Sequence, residues 1–163
     1  MTAPELAPVL DGADSVEFRE IEAEVSFREF VAGALGWSPG WVKILFAARY
    51  LLARALRLDT AGVPSRRRIR PEDIGFTPGD QASFFTVRAG QEDRYLVLGV
   101  DDNHLTAHLT VVAEPVSEGR KRFQLGTIVH YHRRTGSFYF ALIRPFHHLV
   151  IRGMLRAGAA RPA

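Results

Sequence analysis

The chain has no cysteine, which removes disulfides, thiolate nucleophiles and every zinc site that needs a sulfur ligand. A GxSxG elbow, a P-loop, an HExxH helix and a paired-carboxylate motif are also missing, and their absence weakens the case for an enzyme. No long uninterrupted apolar run is present. The most apolar stretch, Trp41 to Leu58, is broken by Lys43, Arg49, Arg54 and Arg57, a poor composition for crossing a bilayer. The opening residues MTAPELAPVLDGAD lack the basic and apolar regions of a signal peptide, so a cytoplasmic protein is expected.

What is present is enough for one folded unit. With 163 residues, 47% of them hydrophobic, the expected organisation is a single domain over residues 14–157, with loose tails over 1–13 and 158–163. The formal net charge is only +3, but arginine is concentrated locally. Arg66, Arg67, Arg68 and Arg70 form one cluster and Arg120, Lys121 and Arg122 another, each open to two readings: a solvated loop, or a patch for a phosphate or an acidic surface.

Periodicity orders the rest. Val16, Phe18 and Glu20 alternate with Glu17, Arg19 and Ile21 as a first strand. Ser26 and Glu29 have capping-box spacing and open a short helix from Phe27 to about Leu35, closed by Gly36. Ser38 and Pro39 are read as the cap and first residue of a second, long helix. Its apolar stripe of Trp41, Leu45, Ala48, Leu52 and Ala55, with Ile44 and Leu51 beside it, is expected to be buried, with Lys43, Arg54 and Arg57 outward. Residues 59–79 show no sustained period, which fits either a connection or a binding loop.

After Gly79 the period becomes two. Ser83–Val87, Tyr95–Val100, Leu105–Val111 and Phe123–Tyr131 read as four meandering antiparallel strands with one apolar face, and Pro115–Lys121 as a loop between the last two. The closing stretch GSFYFALIRPFHHLVIRGMLR is ambiguous at residues 137–143. Phe138, Tyr139 and Phe140 favour a strand, whereas Phe138, Leu142, Phe146 and Leu149 recur at helical intervals. The favoured reading is a long helix kinked at Pro145.

Strand, two helices, strand meander and long helix is the order of the helix-grip fold. The segments GDQASFFTV, DDNHLTAHLTVV, TIVHYHRRTG and FYFALIRPFHHLVIRGML are similar to domain of unknown function 2867, within the START and Bet v 1-like (SRPBCC) superfamily. The resemblance covers roughly Asp14 to Leu155. It implies an α+β fold in which a curved antiparallel sheet wraps a long C-terminal helix, with a cavity between them. It brings no reaction and no cofactor. Some family members resemble a partner of a nucleotide-binding oxidoreductase; no Gly-rich dinucleotide motif precedes this domain, so such a partner would be a separate chain.

Three functional readings stand. The first is a module that binds a small apolar or amphipathic molecule between helix and sheet. Trp41, Phe85, Tyr131, Tyr139, Ile143 and Phe146 supply apolar contacts, and Arg144 or His147 recognises a polar head. These aromatics fit core filling equally well. The second is a cyclase or dehydratase acting on a polyketide-like substrate with His147 as acid or base, although that histidine has no visible nucleophile or orienting partner and fits a structural hydrogen bond better. The third is a protein or nucleic-acid interaction domain using the Arg66–Arg70 cluster, with no aromatic interleaving to support base stacking. His108, His130 and His132 share the polar phase of neighbouring strands, where solvent exposure is the simpler account, and no metal is expected. The ligand, the oligomeric state and the pathway are not readable from these residues.

Overall fold

A computed structural model describes residues 4–57 and 68–161. The elements are α1 (Ala7–Leu10), β1 (Ser15–Ala23), α2 (Phe27–Gly36), α3 (Gly40–Ala55), β2 (Gln81–Ala82), β3 (Phe85–Gln91), β4 (Tyr95–Asp101), β5 (Leu105–Ser117), β6 (Arg120–Tyr131) and α4 (Arg134–Ala159). The described strands form one antiparallel sheet in the order β1-β6-β5-β4-β3-β2, so the first strand pairs with the last. This is the expected helix-grip arrangement: a curved sheet, two helices after the first strand, and a long C-terminal helix. α4 is helical throughout 134–159, which settles the ambiguity at 137–143 in favour of the helix, with Pro145 inside it.

The alternation of the strands decides which residues meet α4. Leu109, Val111 and Ala113 of β5 pair with Thr127, Leu125 and Phe123 of β6, and they face the two helices with Leu96, Leu98 and Val87. α2 supplies Phe27, Phe30 and Val31, all fully buried, and Phe30 stacks on Phe123 with ring centroids 4.1 Å apart. Each such side chain withdrawn from water contributes on the order of 2 kcal/mol. The Ser26–Glu29 capping box forms as read: the Ser26 N–H donates to Glu29 Oε2 at 2.7 Å, and the Glu29 N–H donates to Ser26 Oγ at 3.1 Å.

Four local expectations are corrected. Ser38 does not cap α3; Pro39 is the N-cap, and its carbonyl accepts from the Val42 and Lys43 N–H groups. Residues 115–121 are not a loop, because β5 runs to Ser117 and β6 starts at Arg120, with Gly119 at φ +73° in the turn. Pro115 is tolerated there because the register shifts between Pro115 and Ser117. The N-terminal segment is not loose from residue 4 onward: Leu6 is fully buried against Val97 and Val112 on the sheet face opposite α4. At the other end α4 continues to Ala159 with Gly158 buried, so residues 158 and 159 belong to the helix.

The largest correction concerns α3. Its buried residues are Val42 and Ala53, with Leu52 and Leu56 half-buried, whereas Trp41, Ile44, Ala48, Leu51 and Ala55 face solvent. The helix is apolar nearly all round, so the stripe chosen from spacing was one of two available. Lys43, Arg54 and Arg57 face outward as expected. Of the first arginine cluster, Arg66 and Arg67 lie outside the described residues. The second is engaged in ion pairs: Arg120 and Arg122 reach Glu22 at 3.1 and 3.0 Å, and Lys121 reaches Asp93 at 3.1 Å.

Candidate functional site

The first half of α4, the second half of α3 and the end of the sheet where β4 turns into β5 converge on one region. Its apolar part is Tyr139, Phe140, Leu105, Val129 and Ala53, joined by Tyr131, Ile143, Leu52 and Leu56. Polar groups are set into this surround. Arg49 Nε donates to the Tyr139 hydroxyl, and the Arg49 guanidinium lies 3.5 Å from Asp102, whose carboxylate is almost wholly buried. His104, fully buried, meets the Tyr139 ring edge-on with centroids 5.1 Å apart. Burial raises the Tyr139 hydroxyl above its ordinary pKa, with Arg49 pulling the other way, so it is an un-ionised hydrogen-bonding group.

Local sequence explains the convergence. The 102–104 turn fits under the start of α4 because Gly136 has no side chain; a Cβ there would strike the His104 carbonyl. That same carbonyl accepts the His132 N–H at 2.9 Å, which ties the turn to the end of β6. At the other end of α3 the Trp37 ring occupies the space that a Cβ at Gly153 would need, so α3 runs antiparallel beside α4.

One helical turn further along α4, His147 points at the concave floor. Its Nε2 is 3.2 Å from Thr127 Oγ1, and its ring lies 5.7 Å from that of Phe140. Burial pushes His147 from the ordinary 6.5 down to about 4; Glu17 opposes this, while His148 and Arg49 add to it. The imidazole is therefore neutral near pH 7, suited to hydrogen bonding. It is a weaker base than an ordinary imidazole. Beside it, His148 Nδ1 donates to Glu17 Oε1 at 2.6 Å, and Arg19 pairs with the same carboxylate at 3.2 Å.

Of the residues singled out from sequence, Tyr131, Tyr139 and Ile143 come together here, with His147 alongside. Phe85 lies further along the sheet, stacked on Phe84 and packed against the main core. Trp41 and Phe146 are 42% and 50% exposed, and Arg144 is exposed, so these three face outward. Arg49, Asp102, His104, Thr127 and Glu17 were not identified as a group. The available signal was Arg49, a charge at 3–4 spacing from Leu45, Phe46 and Ala53, within the phase that is buried.

The histidines of the sheet serve structure. The His130 imidazole donates to the Val9 carbonyl at 2.8 Å, holding α1 on the sheet, and His132 contacts Thr106 Oγ1 at 2.7 Å. His108 lies edge-on to His130, and burial lowers its pKa, helped by His130 and Arg88. Among the described residues no three of His, Cys, Asp or Glu gather to hold a metal. No single described helix is long and apolar enough to cross a membrane.

Comparison with solved structures returns distant likenesses of the whole chain. Norcoclaurine synthase from Thalictrum flavum, in complex with dopamine and hydroxybenzaldehyde, has a TM-score of 0.43 at 13% identity, covering 98% of this chain and 92% of that one. A hypothetical protein from Helicobacter pylori has a TM-score of 0.41 at 11% identity over 96% and 94% of the two chains. A START superfamily protein from Mycobacterium smegmatis has 0.41 at 9% identity over 87% and 96%. No curated protein matches this sequence. The family described as protein of unknown function (DUF2867) matches residues 9–154, nearly the whole of the chain, and the protein belongs to that family.

Proposed function

We propose that the protein binds a small amphipathic molecule between α4 and the concave face of the sheet. The observation that carries this reading is the placement of Arg49, Tyr139, Asp102 and His104 in a largely apolar junction, with His147 and Thr127 further along α4. Binding sites for small molecules are mostly apolar with a few polar groups that orient the guest, and this junction has that composition. Tyr131, Tyr139 and Ile143 would contact the apolar body of the guest. The Arg49 guanidinium and the neutral His147 imidazole would meet its polar head. We place this binding in the cytoplasm, a setting with which the cysteine-free sequence is compatible.

The test is native mass spectrometry of the purified protein, with organic extraction of any adduct, repeated on Ile143→Trp to fill the junction. A one-to-one adduct in the wild type that disappears in a folded Ile143→Trp variant is the expected result. A clean protein mass, together with no thermal shift from a panel of fatty acids and polycyclic aromatic acids, overturns the reading.

A further inference from the structure

The outward side of the helical layer is unusual for a surface. Along α4, Phe138, Leu142, Phe146 and Leu149 form one stripe at helical spacing, each 46–57% exposed. Along α3, Trp41, Ile44, Tyr50 and Leu51 are 42–71% exposed. α3 lies beside α4, and each set is exposed on its own helix. About half of eight large side chains amounts to roughly several hundred Å2 of apolar surface, above what scattered exposed residues explain.

The charge on these helices has one sign. α3 contains Lys43, Arg49 and Arg54, and α4 contains Arg134, Arg144, Arg152 and Arg156; neither contains an aspartate or a glutamate. All 18 acidic residues of the chain lie elsewhere. Lys43, Arg54, Arg152 and Arg156 are exposed and make no ion pair among the described residues, so their charge is available to an incoming surface. Among the described residues outside these helices, Arg19, Arg28, Arg70, Arg88, Arg94, Arg120, Arg122 and Arg161 each reach a carboxylate, whereas Arg57, Arg68 and Arg133 form no ion pair with a described residue.

We infer that this face docks onto the surface of a lipid bilayer carrying anionic headgroups. Exposed Trp, Tyr, Phe and Leu flanked by Lys and Arg, with no acidic residue, match a surface that is apolar just beneath a layer of negative charge. Tryptophan and tyrosine favour that boundary because one part of the ring system is apolar and another is polar. The long arginine stems lie along the apolar face while their heads reach phosphate. A second copy of the chain is a poor occupant, since it would bring the same unpaired positive charge against itself. α2, the helix before α3, is packed against α4 and the sheet, so the contact is one of lying on the bilayer, not of spanning it. The inference is independent of any guest under α4.

The experiment is co-sedimentation of the full chain with vesicles of phosphatidylcholine alone and of phosphatidylcholine mixed with phosphatidylglycerol. Three variants are run beside the wild type, with circular dichroism to confirm folding: the pair Leu51→Glu/Phe146→Glu, the pair Arg152→Gln/Arg156→Gln, and Ile143→Trp. The expected result is binding to the phosphatidylglycerol vesicles only, weakened by salt, lost in the apolar pair, and reduced roughly fivefold for each arginine removed. Ile143→Trp, whose substitution lies under α4, should sediment as the wild type does. Absence of binding, equal binding to both vesicle types, or unchanged binding by the two folded outward-facing pairs each overturns the inference. So does a dimer in solution that the apolar pair dissociates, which would assign the face to a second copy.

Discussion

His147 Nε2 lies 3.2 Å from Thr127 Oγ1, joining the middle of α4 to the floor of the sheet across twenty residues of sequence. The bond matters because the imidazole is buried as the neutral form, at about 4 against an ordinary 6.5. As pH falls below about 6.5 the unfolded chain takes up a proton at this position while the folded chain does not. Stability from His147 is thus full above that pH, declines between about 6.5 and about 4, and is flat below. The loss is of the order of 3 kcal/mol. Comparing wild type with His147→Gln by urea denaturation at several pH values isolates it: the variant keeps a partner for Thr127 and should show a shallower decline over that window. Parallel pH profiles would refute the assignment.

The contact between α2 and α4 is made through glycine. A Cβ at Gly158 would sit 2.7 Å from the Phe30 carbonyl, and one at Gly33 would sit 2.8 Å from the Ala157 carbonyl, so backbone itself would have to move. Gly33→Ala and Gly158→Ala should each destabilise by about 2 kcal/mol, even though alanine favours the helix. Gly36 meets nothing within 4 Å, and Gly36→Ala should instead gain up to about 1 kcal/mol. Thermal denaturation of the three single variants checks the opposite signs.

The sheet and α2 were legible because one signal dominated each. Alternation from Leu105 to Val111 and from Phe123 to Tyr131 admits one register, since a shift by one residue would turn the apolar set outward. Ser26 and Glu29 fix the start of α2 independently of its packing. In α3 both faces are apolar, so spacing gives two stripes and only the tertiary contacts of Val42 and Ala53 choose between them. The site was hidden for a related reason. His104 and Asp102 look like turn residues, and their importance comes from Gly136, Tyr139 and Arg49, which are distant in sequence and brought near only by the crossing of three elements.

The capping box at α2 offers a contribution that does not depend on the core. Ser26→Ala removes the acceptor for the Glu29 N–H and the reciprocal geometry, and should cost about 1 kcal/mol. Ser26→Asp restores an acceptor and places negative charge at the helix N-terminus, so it should recover most of the loss. Midpoints of urea unfolding for the two variants test this; an equal loss in both would mean that the cap does not hold the helix start.

The two faces of α3 make contrasting predictions. Ile44 is 71% exposed and Leu51 64%, whereas Ala53 is 1% exposed within the cluster of Tyr139 and Phe140. Ile44→Gln and Leu51→Gln should change stability by no more than about 0.5 kcal/mol, while improving solubility by breaking up an apolar surface. Ala53→Asp places a carboxylate in the apolar junction and should cost several kcal/mol, roughly 3 or more, unless Arg49 moves to meet it. A double variant Ala53→Asp/Arg49→Ala distinguishes the two cases, because rescue by Arg49 would make the double variant much less stable than the sum of the single changes. If Leu51→Gln proved as damaging as Ala53→Asp, the helix would be packed by the stripe that spacing first favoured.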